Sequence, residues 1–78
     1  MREHHQLDAR GLKCPLPVLK ARRALKTLAA GEVLEVLASD PSAPQDFRSF
    51  CETTGHVLQA SEEPEAGLYR FLVEKGAS

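Results

Sequence analysis

Apolar residues recur at helical spacing in two segments of this 78-residue chain. In the first, residues 15–29, they fall three or four positions apart while basic residues occupy the other faces, and Gly31 follows as a helix terminator. The second, residues 44–54, is followed by Gly55, where we expect a left-handed cap. The pattern predicts two helices, the second with an apolar stripe made of Phe47, Phe50, Cys51 and Thr54.

Runs of alternating and β-branched residues predict four strands, at about residues 6–10, 32–39, 57–62 and 68–74. One face of the second strand carries only apolar residues, which we expect in the core. Its other face carries Val33 and Leu37 beside Glu35, and this is unusually apolar for a face that meets water. The pattern hints at weak self-association through that face.

The second helix begins with a capping-box sequence. Ser42 is followed three residues later by Gln45, and Asp46 lies in the first turn, where an acid suits the helix dipole. We expect the Ser42 side chain to cap the free amides at this helix start.

The order of elements is strand, helix, strand, helix, strand, strand. It predicts an α+β fold, a two-layer sandwich in which both helices cover one face of a mixed four-stranded sheet. The first helix should cross over right-handedly between two parallel strands. We expect residues 1–78 to form a single domain, with residues 1–5 as a disordered tail.

Composition narrows the class of protein. The chain is 42% hydrophobic and 27% charged, as ordinary globular proteins are, and its net charge of −1 argues against a general polyanion binder. No apolar segment approaches the ~18 residues of a membrane span, so we expect no membrane association. The two cysteines form neither a Cys-x-x-Cys pair nor a disulfide framework. These features favour a reducing, cytoplasmic location.

Charge is unevenly distributed along the sequence. No acid occurs between Arg10 and Lys26, whereas nine of the eleven acids fall from Glu32 onward. Such a run is usually a solvated helix face, but it can also form a docking surface for an acidic partner or for RNA. We assign docking of a partner to Lys20, Arg22 and Arg23.

Cys14 stands immediately before the first helix, within the run Gly-Leu-Lys-Cys-Pro-Leu-Pro. Pro15 and Pro17 are typical of a first helical turn, where their missing amides have no intrahelical partner. The remaining amides and the helix dipole would favour a thiolate by about 0.3 to 1 kcal/mol. We therefore predict a nucleophile at Cys14, against the simpler interpretation of a small buried hydrophobe.

Neighbouring residues extend this prediction. We assign Arg10 and Lys13 as electrostatic support for the sulfur, and Pro15 and Pro17 as the residues that keep the loop rigid. Cys51 lies on the apolar stripe of the second helix and is expected in the core.

The Cys-Pro-x-Pro motif at residues 14–17 resembles that of the TusA/SirA-like family of small sulfur-carrier proteins. The resemblance extends over about residues 7–76 and also rests on Leu7, Asp8, Gly11, Val18, Gly31, Asp40-Pro41, Phe50-Cys51, Gly55-His56 and the final strand ending near Lys75. It implies a fold similar to the C-terminal domain of bacterial translation initiation factor three. It also implies that Cys14 carries sulfur as a persulfide.

In such a relay, Cys14 would take sulfane sulfur from a cysteine desulfurase or a rhodanese-type donor and pass it to an acceptor protein. The acceptor could belong to tRNA thiolation, to molybdenum cofactor synthesis or to sulfur oxidation. The chemistry requires no metal and no organic cofactor.

Three other functions remain open at this stage. The basic first helix could belong to a non-enzymatic RNA- or protein-binding regulatory module, although the few aromatic residues lie at core positions and offer no platform for stacking bases. A redox thiol would need a resolving cysteine, and Cys51 is expected to be buried. A metal site could use His4, His5 and His56 with a cysteine, but adjacent histidines point apart. We expect no metal and no direct nucleic-acid binding, and a structural role for His56.

Overall fold

The computed structural model describes residues 5–76. Along the chain it contains β1 (His5–Ala9), α1 (Leu16–Lys26), β2 (Val33–Ala38), α2 (Ala43–Thr54), β3 (Val57–Glu65) and β4 (Leu68–Glu74). This order confirms the predicted fold class, a two-layer α+β sandwich with a mixed sheet. His5, which was predicted to belong to a disordered tail, is instead the first residue of β1. Residues 1–4 of that tail lie outside the described part of the chain.

The four strands form one sheet in the order β1-β2-β4-β3. β1 and β2 are parallel, as the crossover predicted, with Leu7 opposite Val36. β4 runs antiparallel to β2, with Phe71 opposite Val36, and β3 is antiparallel to β4. β1 and β3 are therefore the edge strands, and the carboxyl ends of β1 and β2 meet at one end of the sheet.

The core lies between the sheet and the two helices. Phe47 of α2 stacks on Phe71 of β4 with ring centroids 4.6 Å apart, and both side chains are fully buried. Phe50 meets Phe47 edge to face at 6.4 Å. The apolar stripe predicted for the second helix is confirmed, because Phe47, Phe50 and Cys51 are all buried.

The other face of the sheet has no helix on it among the described residues. Side chains from all four strands form a polar chain across it. Gln6 donates to Glu35 at 3.3 Å, Arg70 donates to Glu35, and Arg70 also donates to Glu62 at 2.7 Å. Glu35 is consequently only 8% exposed, although it points away from the core.

The first helix is shorter than predicted. It begins at Leu16, with Pro15 as N-cap, and ends at Lys26, whereas the pattern continued to residue 29. Leu28 is buried, but its amide bonds to the carbonyl of Leu25 in a tighter turn. Lys75 closes this end of the helix by donating to the carbonyls of Leu25 and Leu28 at 2.6 and 3.0 Å.

The predicted capping box is wrong. Ser42 has helical backbone angles, φ −79° and ψ −12°, and its side chain makes no capping bond. The Asp40 side chain instead accepts the Ser42 amide at 2.8 Å, which fixes the turn into α2. The cap at the other end is confirmed, because Gly55 adopts φ 84° and donates to the Cys51 carbonyl.

Candidate functional site

The loop from β1 to α1 places Cys14 at the end of the sheet where β1 and β2 terminate. Gly11 adopts φ 82°, which turns the chain out of β1, and its amide donates to the Ser39 hydroxyl at 2.8 Å. The Cys14 amide donates to the Asp40 carboxylate at 2.5 Å. Because Ser39 and Asp40 directly follow β2, the cysteine loop is tied to the neighbouring loop. The Cys14–Pro15 peptide bond is cis.

Cys14 is exposed and opens onto a groove between α1 and α2, with a volume of about 340 Å³. The walls are largely apolar. The lining includes Pro15, Val18, Leu19 and Arg22 on the α1 side and Asp46 and Phe50 on the α2 side. A protein segment can therefore reach the sulfur directly from solvent.

The electrostatic surroundings of the sulfur differ from the prediction. A hydrogen bond to the Asp46 carboxylate raises the pKa of the Cys14 thiol, and desolvation and the negative charges of Asp46 and Asp40 act in the same direction. The amide of Leu16, which was expected to face the sulfur, donates to the carbonyl of Lys13 at 2.8 Å. These groups therefore favour the thiol form of Cys14, whereas the helix start was expected to favour the thiolate.

The two cations assigned to support the sulfur act on carboxylates. The Arg10 guanidinium makes two bonds of 2.9 Å to Asp8, and these lower the pKa of Asp8 to about 2. Amide donors from Ser42 and Cys14 lower the pKa of Asp40, and the charge of Lys13 adds to this effect. Neither cation is among the groups that shift the pKa of Cys14.

Residues assigned to docking lie on the exposed side of α1. Arg22 lines the Cys14 groove, whereas Lys20 and Arg23 line a second groove of about 520 Å³ on the other side of the helix, next to Leu7 of β1.

Two leucines of α1 are exposed: Leu16 is 46% exposed and Leu19 is 49% exposed. Leu19 lines both grooves, so it forms an apolar ridge between them.

Comparisons with known proteins show the family of this chain. The model of the family described as Sulfurtransferase TusA matches residues 5–75. The chain belongs to this family. A putative sulfur carrier protein of Neisseria meningitidis serogroup A is 50% identical over 68 residues, covering 87% of this chain and 90% of the relative. The sulfur carrier protein TusA of Allochromatium vinosum is 46% identical over 70 residues, covering 90% and 91%.

A solved structure extends the comparison to the TusA-family fold. The crystal structure of a SirA-like protein from Desulfitobacterium hafniense superposes with a TM-score of 0.80 at 30% sequence identity. The match covers 91% of this chain and 96% of the other.

Sequence reasoning did not assign two acids, Asp40 and Asp46, to the Cys14 site, although Asp40-Pro41 was among the residues that carried the resemblance. Asp40 could have been found, because it follows β2 and the carboxyl ends of parallel strands meet at one edge. Asp46 was noticed only as an acid favourable in the first helical turn. Its contact with Cys14 depends on how α2 packs beside α1, which the local sequence pattern does not determine.

The remaining cysteine and His56 have structural positions in this TusA-family chain. Burial raises the pKa of Cys51 to about 11, so the prediction of a core cysteine is confirmed. His56 accepts the Gly76 amide at 2.9 Å and packs against the Phe50 ring. Within residues 5–76 no group of three or more histidines, cysteines or acids is placed to hold a metal ion, and no helix is long and apolar enough to cross a membrane. His4, part of the metal alternative, lies outside the described residues.

Proposed function

We propose that this protein is a sulfur carrier that accepts sulfane sulfur on Cys14 as a persulfide and relays it to an acceptor protein. The observation that carries the proposal is an exposed cysteine, held at the end of the sheet, that faces an open groove between two helices. Membership of the TusA family supports it, as do relatives named as sulfur carriers. The buried position of Cys51 leaves Cys14 as the accessible thiol among the described residues.

The transfer is an exchange between sulfur atoms. The deprotonated Cys14 sulfur attacks the terminal sulfur of a donor persulfide, so a sulfur–sulfur bond forms at Cys14 and the donor's sulfur–sulfur bond breaks. The donor cysteine leaves as a thiolate and takes up a proton equivalent to the one that Cys14 released. Delivery repeats this exchange with an acceptor as the attacking group. Oxidation states balance, so neither an external oxidant nor a metal is needed.

The surface around Cys14 supports docking of proteins at both steps. The exposed Leu16 and Leu19 offer apolar contact area beside the sulfur, and Lys20, Arg22 and Arg23 surround that area with positive charge. A donor or acceptor with an acidic rim around its own cysteine would be attracted to this face. We propose a cysteine desulfurase or a rhodanese-type protein as donor, in the cytoplasm. Acceptors in tRNA thiolation, molybdenum cofactor synthesis or sulfur oxidation fit the same chemistry.

The rigid backbone before α1 supports entry into a partner. Pro15 lines the groove beside Cys14, and Pro17 is buried in the first turn of α1. With the Cys14 amide bonded to Asp40, little conformational freedom is left to lose when the loop enters a partner's active site.

Intact mass measurement tests the proposal. Wild type, Cys14→Ala and Cys51→Ala are incubated with a cysteine desulfurase and cysteine, and the mass is recorded before and after reduction. Wild type and Cys51→Ala should each gain one sulfur atom that a reductant removes, and Cys14→Ala should gain none. The same gain on Cys14→Ala would overturn the assignment of the carrier residue. No gain on wild type, with a known carrier loading normally, would overturn desulfurase as the donor and favour a binding module on the basic helix.

A further inference from the structure

Asp46 is fixed next to the sulfur of Cys14 by the start of α2. It lies in the first turn of that helix, and its amide donates to the Ser42 carbonyl at 3.0 Å. Its side chain is half-buried and lines the same groove as Cys14. From this position the carboxylate contributes more than any other group to raising the pKa of the Cys14 thiol.

Charged groups reach this end of the molecule from several elements. The loop after β2 contributes Asp40, which binds the Cys14 amide, and the loop after β1 contributes Lys13, whose charge acts on Asp40. From α1, Arg22 lines the far part of the groove. The ion pairs among residues 5–76 use other carboxylates, so no cation is paired with Asp46 in the groove.

We propose that Asp46, which lines the same groove as Cys14, is a positioning residue that favours the thiol form of Cys14 in the free protein and thereby slows its reaction with small electrophiles and oxidants. The biological purpose of slowing these reactions rests on the proposed carrier function. The thiolate is the form of cysteine that is alkylated and oxidised. A carboxylate next to the sulfur opposes loss of the thiol proton, because it would place two negative charges in contact. The exposed cysteine is in this way protected while no partner protein fills the groove.

The rate of alkylation of Cys14 depends on the pKa of its thiol in two opposing ways. Below the thiol pKa, lowering that pKa by one unit increases the thiolate tenfold, while the weaker nucleophilicity of the new thiolate reduces its rate constant about threefold. The observed rate of alkylation should therefore rise about threefold for each unit by which a substitution lowers the pKa.

Alkylation of the free protein by iodoacetamide between pH 6 and 10 tests the proposal. Peptide mapping assigns the label to Cys14 in wild type and three variants. Asp46→Asn keeps an oxygen acceptor but removes the charge, Asp46→Glu restores the charge, and Glu52→Gln removes an exposed charge elsewhere on α2. Asp46→Asn should shift the midpoint of the pH profile to lower pH, and at pH 7 it should react faster by about threefold for each unit of that shift. Asp46→Glu should recover at least part of the difference, and Glu52→Gln should match wild type.

The proposal is overturned if Asp46→Asn matches wild type, or if Glu52→Gln shifts as far as Asp46→Asn. Circular dichroism confirms that each variant is folded. If Asp46→Asn does not fold, Asp46→Ser, whose side chain also suits a helix start, takes its place with the same expectation. Alkylation reports on the thiol whether or not the protein carries sulfur. A shifted profile together with failed sulfur loading would therefore count against the desulfurase as donor and leave the role of Asp46 standing.

Discussion

Glu35 in β2 and Arg70 in β4 form an ion pair on the sheet face that lies opposite the helices. The Glu35 side chain is only 10% exposed, so its negative charge depends on its bonds to Arg70 and Gln6 rather than on water. Arg70 in turn reaches Glu62 in β3, which connects the central strands to the sheet edge. Loss of either partner of the pair should therefore lower the free energy of unfolding.

Removing the cation should destabilise the fold. Arg70→Ala leaves Glu35 buried with fewer donors, and we expect a loss of about 2 kcal/mol in the free energy of unfolding, below the ~3–5 typical of deeper pairs because Arg70 is partly exposed. Urea unfolding measures the change. The matched control is Arg48→Ala, an exposed arginine of α2, for which we expect a change within about 0.5 kcal/mol. Equal losses in the two variants would contradict this role of the pair.

Helical spacing and strand alternation were sufficient to predict the fold, because they report which face of each element is buried. The stripe containing Phe47 and Phe50 is an example. Local patterns failed where a distant group decides the outcome. Lys75, for example, closes the end of α1 by donating to the Leu25 carbonyl from the far end of the chain.

The site was predicted only in part for the same reason. The role of Cys14, inferred from its place before a proline-rich helix start, stays a prediction. The helix start was expected to favour its thiolate, whereas Asp46, which approaches from another helix, raises the pKa of the thiol. Tertiary packing therefore determines the chemistry that the local motif leaves undecided.

Cys51 should make stability depend on pH in the alkaline range. Its pKa is about 11 in the folded protein and about 8.5 in an unfolded chain, so the folded state binds the proton more tightly. The stabilisation is fully present below about pH 8.5 and is lost as pH rises toward 11. In a Cys14→Ser background, we expect the urea midpoint to fall more steeply between pH 8.5 and 10 than it does when Cys51→Val is added.

The comparison of these two proteins removes the contribution of other alkaline groups. Parallel slopes for the two proteins over that pH range would mean that Cys51 is not shielded from ionisation in the fold.

Arg22 should contribute to docking of the sulfur donor. It lines the Cys14 groove on the basic side of α1, so charge reversal should repel an acidic partner. For Arg22→Glu we expect the KM of the loading reaction to rise about threefold to tenfold. This KM should also depend less on salt concentration than it does for wild type. Loading kinetics at two salt concentrations measure both quantities.

Arg48→Glu is the control for Arg22→Glu, because it makes the same charge change at an exposed position outside the groove. If both variants raise KM equally, net charge rather than the basic face governs docking.

The central claim is that Cys14 holds transferable sulfur once the donor has gone. The most direct measurement is to load the protein, remove the donor by chromatography, add cyanide and quantify thiocyanate, which forms from sulfane sulfur. Wild type and Cys51→Ala should each release about one equivalent, as the single-thiol relay requires, and Cys14→Ala should release none. Thiocyanate from Cys14→Ala at the wild-type level, or none from wild type that had gained the mass of sulfur, would contradict the account.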